Sequence, residues 1–297
     1  MNVLWIMADQ LRWDYLSCYG ASHIETPNID RLAAKGVRFN KAYVQSPICG
    51  PSRMSSYTGR YPRSHGATWN GFPLPIGQPT LGDHMREIGV TSTLIGKTHM
   101  TPDIEGMKRL GIDPDSPNGK RIAEGGFEVM VRDDGTNAVN YPGRCAEDYE
   151  AYLREQGLDG DAPWEEWANS AIGPDGELVS GWLLENARLP ARVPKEHSET
   201  AWLTTRGIEF MEAQGDDPWL CHLSYIKPHW PFMVPAPYND MYSAKDMPPV
   251  NRRDGEHTHP LMKHWAETRI CKTFARKDVL DVVGPCYMGL IKELDDN

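Results

Sequence analysis

Three strand-like runs that each lead into charged or histidine-bearing turns constrain the fold of this chain more than any other feature. Val3-Leu4-Trp5-Ile6-Met7-Ala8 runs into Asp9-Gln10, Val90 to Ile95 into Gly96-Lys97-Thr98-His99, and Trp219 to Tyr225 into Ile226-Lys227-Pro228-His229. The first is an unbroken apolar run and reads as a strand buried on both faces, the habit of parallel sheets, and the other two read as a second and a third strand. Polar groups just past their ends then lie at the C-terminal edge of the sheet, where open α/β folds bind their ligands. Each group also has a plainer reading: Asp9 as a turn or helix cap, Lys97 and His99 as a solvated loop, His229 as a histidine packed under Trp230.

Helical stretches separate these runs. In Thr26 to Gly36, Thr26 is placed to cap, Pro27 fits the first turn, Gly36 closes the helix, and Ile29, Leu32 and Ala33 form a buried stripe. Thr80 to Gly89 and Ser198 to Ala213 read as further helices, and Val37 to Val44 as an extended segment. The expected architecture is α/β, a central, mostly parallel sheet with helices on both faces.

Between the first two strands lies Ser-Pro-Ile-Cys-Gly-Pro-Ser-Arg-Met-Ser-Ser-Tyr-Thr-Gly-Arg-Tyr-Pro-Arg-Ser-His-Gly, residues 46 to 66. Cys49 stands where a loop turns into a helix. Pro51 suits a first turn because its missing N–H is not needed there, and Gly59 ends the helix. A thiol at a helix N-terminus feels the positive end of the helix dipole, and Arg53 adds a fixed charge one turn on.

Composition limits the alternatives. A formal charge of −10 argues against a nucleic-acid binder, so an anion-handling site must be a local gathering of Arg, Lys and His. The six cysteines (18, 49, 145, 221, 271 and 286) show neither a C-x-x-C pair nor a regular spacing, which argues against a disulfide framework or a zinc finger. No basic leader precedes Val3 to Ala8, and no apolar run approaches the about 18 residues of a membrane span. The expected setting is the cytoplasm, with no membrane partner. Residues 101–196, rich in Gly, Asp and Pro with Trp164, Trp167 and Trp182 scattered among them, read as insertions and short helices covering the sheet edge around a pocket. His257, His259 and His264 read as loop residues. From Val279 the pattern is helical, with Met288, Ile291 and Leu294 as a stripe and Glu293, Asp295 and Asp296 facing away.

Cys49-Gly50-Pro51-Ser52-Arg53, Thr58-Gly59-Arg60-Tyr61-Pro62 and His65-Gly66 together resemble the signature of the type I sulfatases and the related phosphonate monoester hydrolases. The resemblance implies an alkaline-phosphatase-like α/β sandwich, with residues 1–297 as the N-terminal portion of a catalytic domain whose C-terminal part is missing. It implies that Cys49 is oxidised by formylglycine-generating machinery and that its hydrate attacks a sulfate ester. Asp9, Gln10 and residue 49 would ligate one divalent metal, calcium first, with manganese or magnesium as alternatives. Arg53 would stabilise the nucleophile, Lys97 and His99 the sulfate oxygens, and His229 would protonate the leaving oxygen. Asn70, which falls where the phosphonate hydrolases have an active-site Asn, and Lys227 would contact the substrate, a small anionic ester; an oligomer is compatible.

Gln10 departs from the second aspartate common in sulfatases and is similar to the phosphonate-hydrolase branch, as is the wording of 235–249 and 259–263. Lys97 and His99 depart from the Tyr and Thr of that branch and favour sulfate. A phosphonate monoester or phosphodiester hydrolase on the same scaffold is therefore the alternative. A non-catalytic fragment or binding module is the alternative of another class, because the family's later metal pair and further lysine are absent from this chain.

Overall fold

The computed structural model describes residues 1–136, 147–251, 255 and 258–297. Its strands are β1 (Val3–Ala8), β2 (Thr91–Gly96), β3 (Glu128–Arg132), β4 (Ser170–Ile172), β5 (Leu178–Ser180) and β6 (Trp219–Tyr225). The chain forms two compact units, one of residues 1–10, 39–164 and 199–226, the other of residues 11–38, 165–198 and 227–297.

The first unit holds a four-stranded sheet in the order β1-β6-β2-β3, with every neighbouring pair parallel. Ala8 is level with Tyr225, and Gly96 with Ser224, so three strands end together. Each ladder runs one bond further: Asp9 N donates to Tyr225 O (3.1 Å), Lys97 N to Ser224 O (3.0 Å) and Asp133 N to Gly96 O (3.2 Å). Asp9, Lys97 and Asp133 thus leave the sheet at one edge, held by the sheet itself.

β6 is the central strand, and all seven of its residues are buried. Side chains alternate between the faces of a strand. On one face, Leu220 joins Met54, Tyr57, Leu94 and Phe127 in the core, and His222 stacks on Trp5 at 4.2 Å. On the other, Leu223 packs against Gly207 and Tyr225 bonds Thr204 (2.7 Å), both from the Glu199–Ala213 helix. Helices therefore cover both faces.

β1 does not behave as a strand buried on both sides. It lies at the end of the described sheet, and Leu4 and Ile6 are 39% and 49% exposed, while Val3 and Trp5 pack on the core. β3 falls inside the stretch read from sequence as short helices and insertions. The segment 37–44 adopts no regular structure, with Val37, Phe39, Tyr43 and Val44 exposed.

In the second unit the Pro27–Lys35 helix differs from its expected form. It has no fully buried residue, and Leu32 is 66% exposed. Thr26 does not cap it, because its hydroxyl is taken by Ser17 (2.8 Å) and Asp30 (3.3 Å). The cap is Asp295, which accepts from Asn28 N (3.1 Å) and Ile29 N (2.9 Å). An anionic oxygen at free helix N–H groups is a favourable partner. Asp295 is therefore buried rather than facing away, as is Glu293. Met288 and Ile291 of the Lys277–Asp296 helix are buried as the stripe requires, with Tyr15 and Ile24.

The described cysteines are all free, and Cys145 and His257 lie outside the described residues. His259 precedes the Pro260–Ala266 helix, where its Nδ1 accepts from Leu261 N (3.2 Å), and His264 sits inside that helix rather than in a loop. Among the described residues no helix is long and apolar enough to cross a membrane.

Candidate active site

Cys49 opens the Cys49–Thr58 helix directly after Ile48, which is extended (φ −97°, ψ 132°). Pro51 lies in the first turn, and Gly59 closes the helix in the left-handed region (φ 66°). The half-buried thiol meets Asn70, whose Nδ2 donates to Sγ at 3.3 Å and whose Oδ1 accepts from Gly50 N at 2.8 Å. A Cβ on Gly50 would lie 2.7 Å from that oxygen, so only glycine lets the amide sit this close.

One turn along the same helix, Arg53 is only 3% exposed. Its Nη1 donates to Lys97 O (2.7 Å) and Ser224 Oγ (2.9 Å), and its Nη2 stands 3.9 Å from Asp9 Oδ2. Lys97, also 3% exposed, places Nζ 2.5 Å from the same carboxylate oxygen. Two cations face one carboxylate, and the charge of Asp134 also bears on both, in a place shielded from water. Buried charge is costly unless it is paired, and here each cation has an anionic neighbour. Gly96 permits the approach: its φ is 103°, and a Cβ there would lie 2.1 Å from Ser224 O.

His99 follows in a left-handed backbone (φ 56°), with its N–H directed at Asp134 Oδ1 (3.4 Å) and, among the described residues, no hydrogen-bond partner for its buried Nδ1. Burial, then the charge of Lys97, push its pKa down to about 4. His99 is thus neutral at neutral pH, and the fixed positive charge comes from Arg53 and Lys97.

His222 in the core is pushed down further, to about 3, by burial and Arg53. Folding favours the neutral form of both histidines. Their contribution to stability is complete above the ordinary value of 6.5 and is lost as pH falls toward 4 for His99 and 3 for His222. Asp133 works in the opposite sense, since burial and Glu199 raise its carboxyl well above the usual range. A difference measurement separates the terms. Relative to His99→Gln or His222→Gln, the unmodified chain is expected to lose about 2 kcal/mol between pH 7 and pH 5 in urea unfolding. A parallel pH response would show that the replaced ring is solvated.

Gln10 sits at φ 61° and is exposed. Lys227 and His229 belong to the second unit, where Lys227 Nζ donates to Pro231 O (2.8 Å) and His229 Nδ1 faces the Trp230 carbonyl. A ring that donates from Nδ1 keeps Nε2 as the atom able to exchange a proton. Trp182 packs on Trp230 at 4.6 Å, and Trp164 is buried with its Nε1 on Glu199 (2.8 Å); both serve packing.

Sequence reasoning missed the polar groups that follow β3. Arg132, the last residue of β3, pairs with Glu124 (2.9 Å) and Asp134 (2.6 Å), and Thr98 donates its hydroxyl to Glu124. The signal was present, since Val129-Met130-Val131 runs into Arg132-Asp133-Asp134 as the longer runs run into Asp9 and Lys97. Three apolar residues in a Gly- and Asp-rich stretch were too few to mark a strand.

A parallel sheet covered by helices on both faces, with Arg53 and Lys97 gathered on Asp9 and a helix-borne cysteine at its C-terminal edge, defines an α/β protein. The chain belongs to the Sulfatase family, which matches it over residues 1–297. It is 31% identical to the multifunctional alkaline phosphatase superfamily protein PehA of Trinickia caryophylli and 26% identical to an arylsulfatase of Clostridium perfringens. Each likeness covers 99% of this chain and 57% of the relative. The crystal structure of the phosphonate monoester hydrolase of Agrobacterium radiobacter superposes with a TM-score of 0.77 at 27% identity, over 99% of this chain and 57% of that one. The chain thus spans somewhat more than half the length of these relatives.

Family members generally use a divalent metal and a formylglycine. Residue 49 fits the modified group: it is half-exposed on a helix start and has an amide donor and acceptor beside it. The metal fits less well. Asp9 already holds Lys97 and faces Arg53, and among the described residues no three His, Cys, Asp or Glu side chains gather to hold an ion. Hard cations take about six oxygen ligands. The described donors do not by themselves make such a site.

Proposed function

We propose that this chain carries the anion-binding and nucleophile half of a sulfate ester hydrolase. The observation that carries this reading is the buried Asp9–Lys97–Arg53 cluster, with Arg53 on the helix that Cys49 begins. A formylglycine at 49, installed by the cell's modifying machinery, would supply a hydrated aldehyde as nucleophile. Arg53 orients the Lys97 carbonyl and presents charge beside the helix start. Lys97 and neutral His99 meet the oxygens of a small anionic ester, a charged and a neutral donor on one loop. Asn70 orients residue 49 through its amide. On the family resemblance alone, His229 is assigned the proton for the leaving oxygen and Lys227 a contact with the substrate.

A phosphonate monoester hydrolase is the second reading. It is favoured by the Asn70 contact to Cys49, by Gln10, and by the likeness to the Agrobacterium radiobacter enzyme. Lys97 and His99 favour sulfate. Turnover of an aryl sulfate, a phenyl phosphonate monoester and a phosphodiester by the protein that contains this chain tests the choice. The aryl sulfate is expected to give the largest kcat/KM, by about tenfold or more, which corresponds to about 1.4 kcal/mol of transition-state preference. A larger value for the phosphonate would establish the second reading, and no turnover of any of the three would favour a binding module.

A further inference from the structure

We propose that Glu124, Arg132 and Asp134 form a positioning clamp for the loop that carries Lys97 and His99. The inference rests on the assignment of these two residues to the substrate anion. The loop needs a clamp because it is not regular structure. It leaves β2 through Gly96 at φ 103°, and three residues later His99 adopts φ 56°, which a side chain with a Cβ rarely takes. Such a conformation persists only where its surroundings over-determine it.

The surroundings do so from three sides. Arg53 holds the carbonyl of Lys97 (2.7 Å). Glu124 accepts the hydroxyl of Thr98, whose oxygen in turn accepts from Met100 N (3.3 Å). Asp134 accepts the N–H of His99 (3.4 Å). Arg132 joins the two carboxylates, at 2.9 Å from Glu124 and 2.6 Å from Asp134, and all three side chains are at most 15% exposed. Burial alone would raise the Asp134 carboxyl, but Arg132 and Lys97 outweigh it and hold the group below its usual range, so it stays ionised.

The direction of these contacts distinguishes a clamp from a mere stabilising cluster. Beyond Arg132, the carboxylates reach Thr98 and His99, and the charge of Asp134 falls on Lys97. Thr98 is fully buried and Asp134 nearly so. Their effect passes through the position of the Lys97 ammonium and the His99 ring, where a small displacement weakens groups aimed at transition-state charge.

The test compares Thr98→Val, Asp134→Asn and Thr98→Ser, with Lys97→Ala as control, on aryl sulfate. Thr98→Val keeps the shape of the side chain and removes the hydroxyl. Thr98→Val and Asp134→Asn are expected to lower kcat by about 10- to 100-fold with KM within about threefold, and Thr98→Ser to retain activity. Hydrogen exchange supplies a readout independent of turnover. The amides of His99 and Met100 should exchange at least about tenfold faster in Thr98→Val while Ile95, inside β2, keeps its rate. Unchanged kcat in both variants, beside a damaging Lys97→Ala, overturns the clamp and leaves the anion assignment standing. A harmless Lys97→Ala overturns that assignment and the clamp with it. Equal acceleration at Ile95 and His99 shows a general loss of stability and also overturns the clamp.

Discussion

Cys49→Ala is expected to abolish ester hydrolysis, by a factor on the order of 10⁴ or more, while leaving the fold as it is. The size follows from the role, since removal of a nucleophile leaves only binding and charge stabilisation to act. The intact fold follows from the surroundings. The thiol is half-buried and meets one amide, so its loss is expected to change stability by about 1 kcal/mol or less. Gly50, Pro51 and Gly59 shape the helix ends without it. The measurement pairs kcat/KM on an aryl sulfate with a thermal melt. Substantial residual turnover would remove Cys49 from the chemistry, and loss of turnover with a collapsed melt would make its role structural. Peptide mass spectrometry addresses the modification separately. An unmodified thiol throughout an active preparation would show that residue 49 acts without conversion to formylglycine.

Much of the site's framework was legible in the sequence because it is written in local patterns. Apolar runs broken by Asp9 and by Lys97 marked strand ends, and Pro51 and Gly59 bracketed the helix of Cys49. These signals involve only neighbours in the chain, and the parallel sheet then places their ends at one edge. What escaped depends on partners far apart. Nothing local shows that Arg53 is enclosed by Ser224 and the Lys97 carbonyl, residues 171 and 44 positions away. Asp295 reads as a solvated end of a helix until Asn28 and Ile29, 267 and 266 residues earlier, bring it their N–H groups. Glu124, Arg132 and Asp134 resemble a wet loop by composition and are a nearly buried ion cluster in the fold. β1 erred the other way: its run is apolar throughout, yet only alternate side chains face the core, and the all-buried role falls to β6.

Arg53→Met is expected to destabilise the first unit by about 3 to 5 kcal/mol, the cost of breaking a buried charged arrangement by removing one partner. Methionine fills much of the space but donates nothing. The Lys97 carbonyl and Ser224 hydroxyl lose their donor, and Asp9 loses the nearby guanidinium while keeping Lys97. A hydrogen bond made by a charged group is worth about 1.5 to 3 kcal/mol, so two of them account for the range without any contribution from the 3.9 Å Asp9 pair. Arg53→Lys is expected to recover less than half of the loss. A single ammonium carries the charge but lacks the planar fork that reaches carbonyl and hydroxyl together. Urea unfolding of the three proteins at neutral pH reads both numbers. A loss below about 1 kcal/mol for methionine would mean that water replaces the guanidinium and that the cradle is open. Full recovery by lysine would mean that charge alone matters and geometry does not. On the proposed reading, a residue held this firmly cannot follow the substrate, so the anion would meet a cradle already in place. Pre-set charge of that kind stabilises a transition state without reorganising during the reaction.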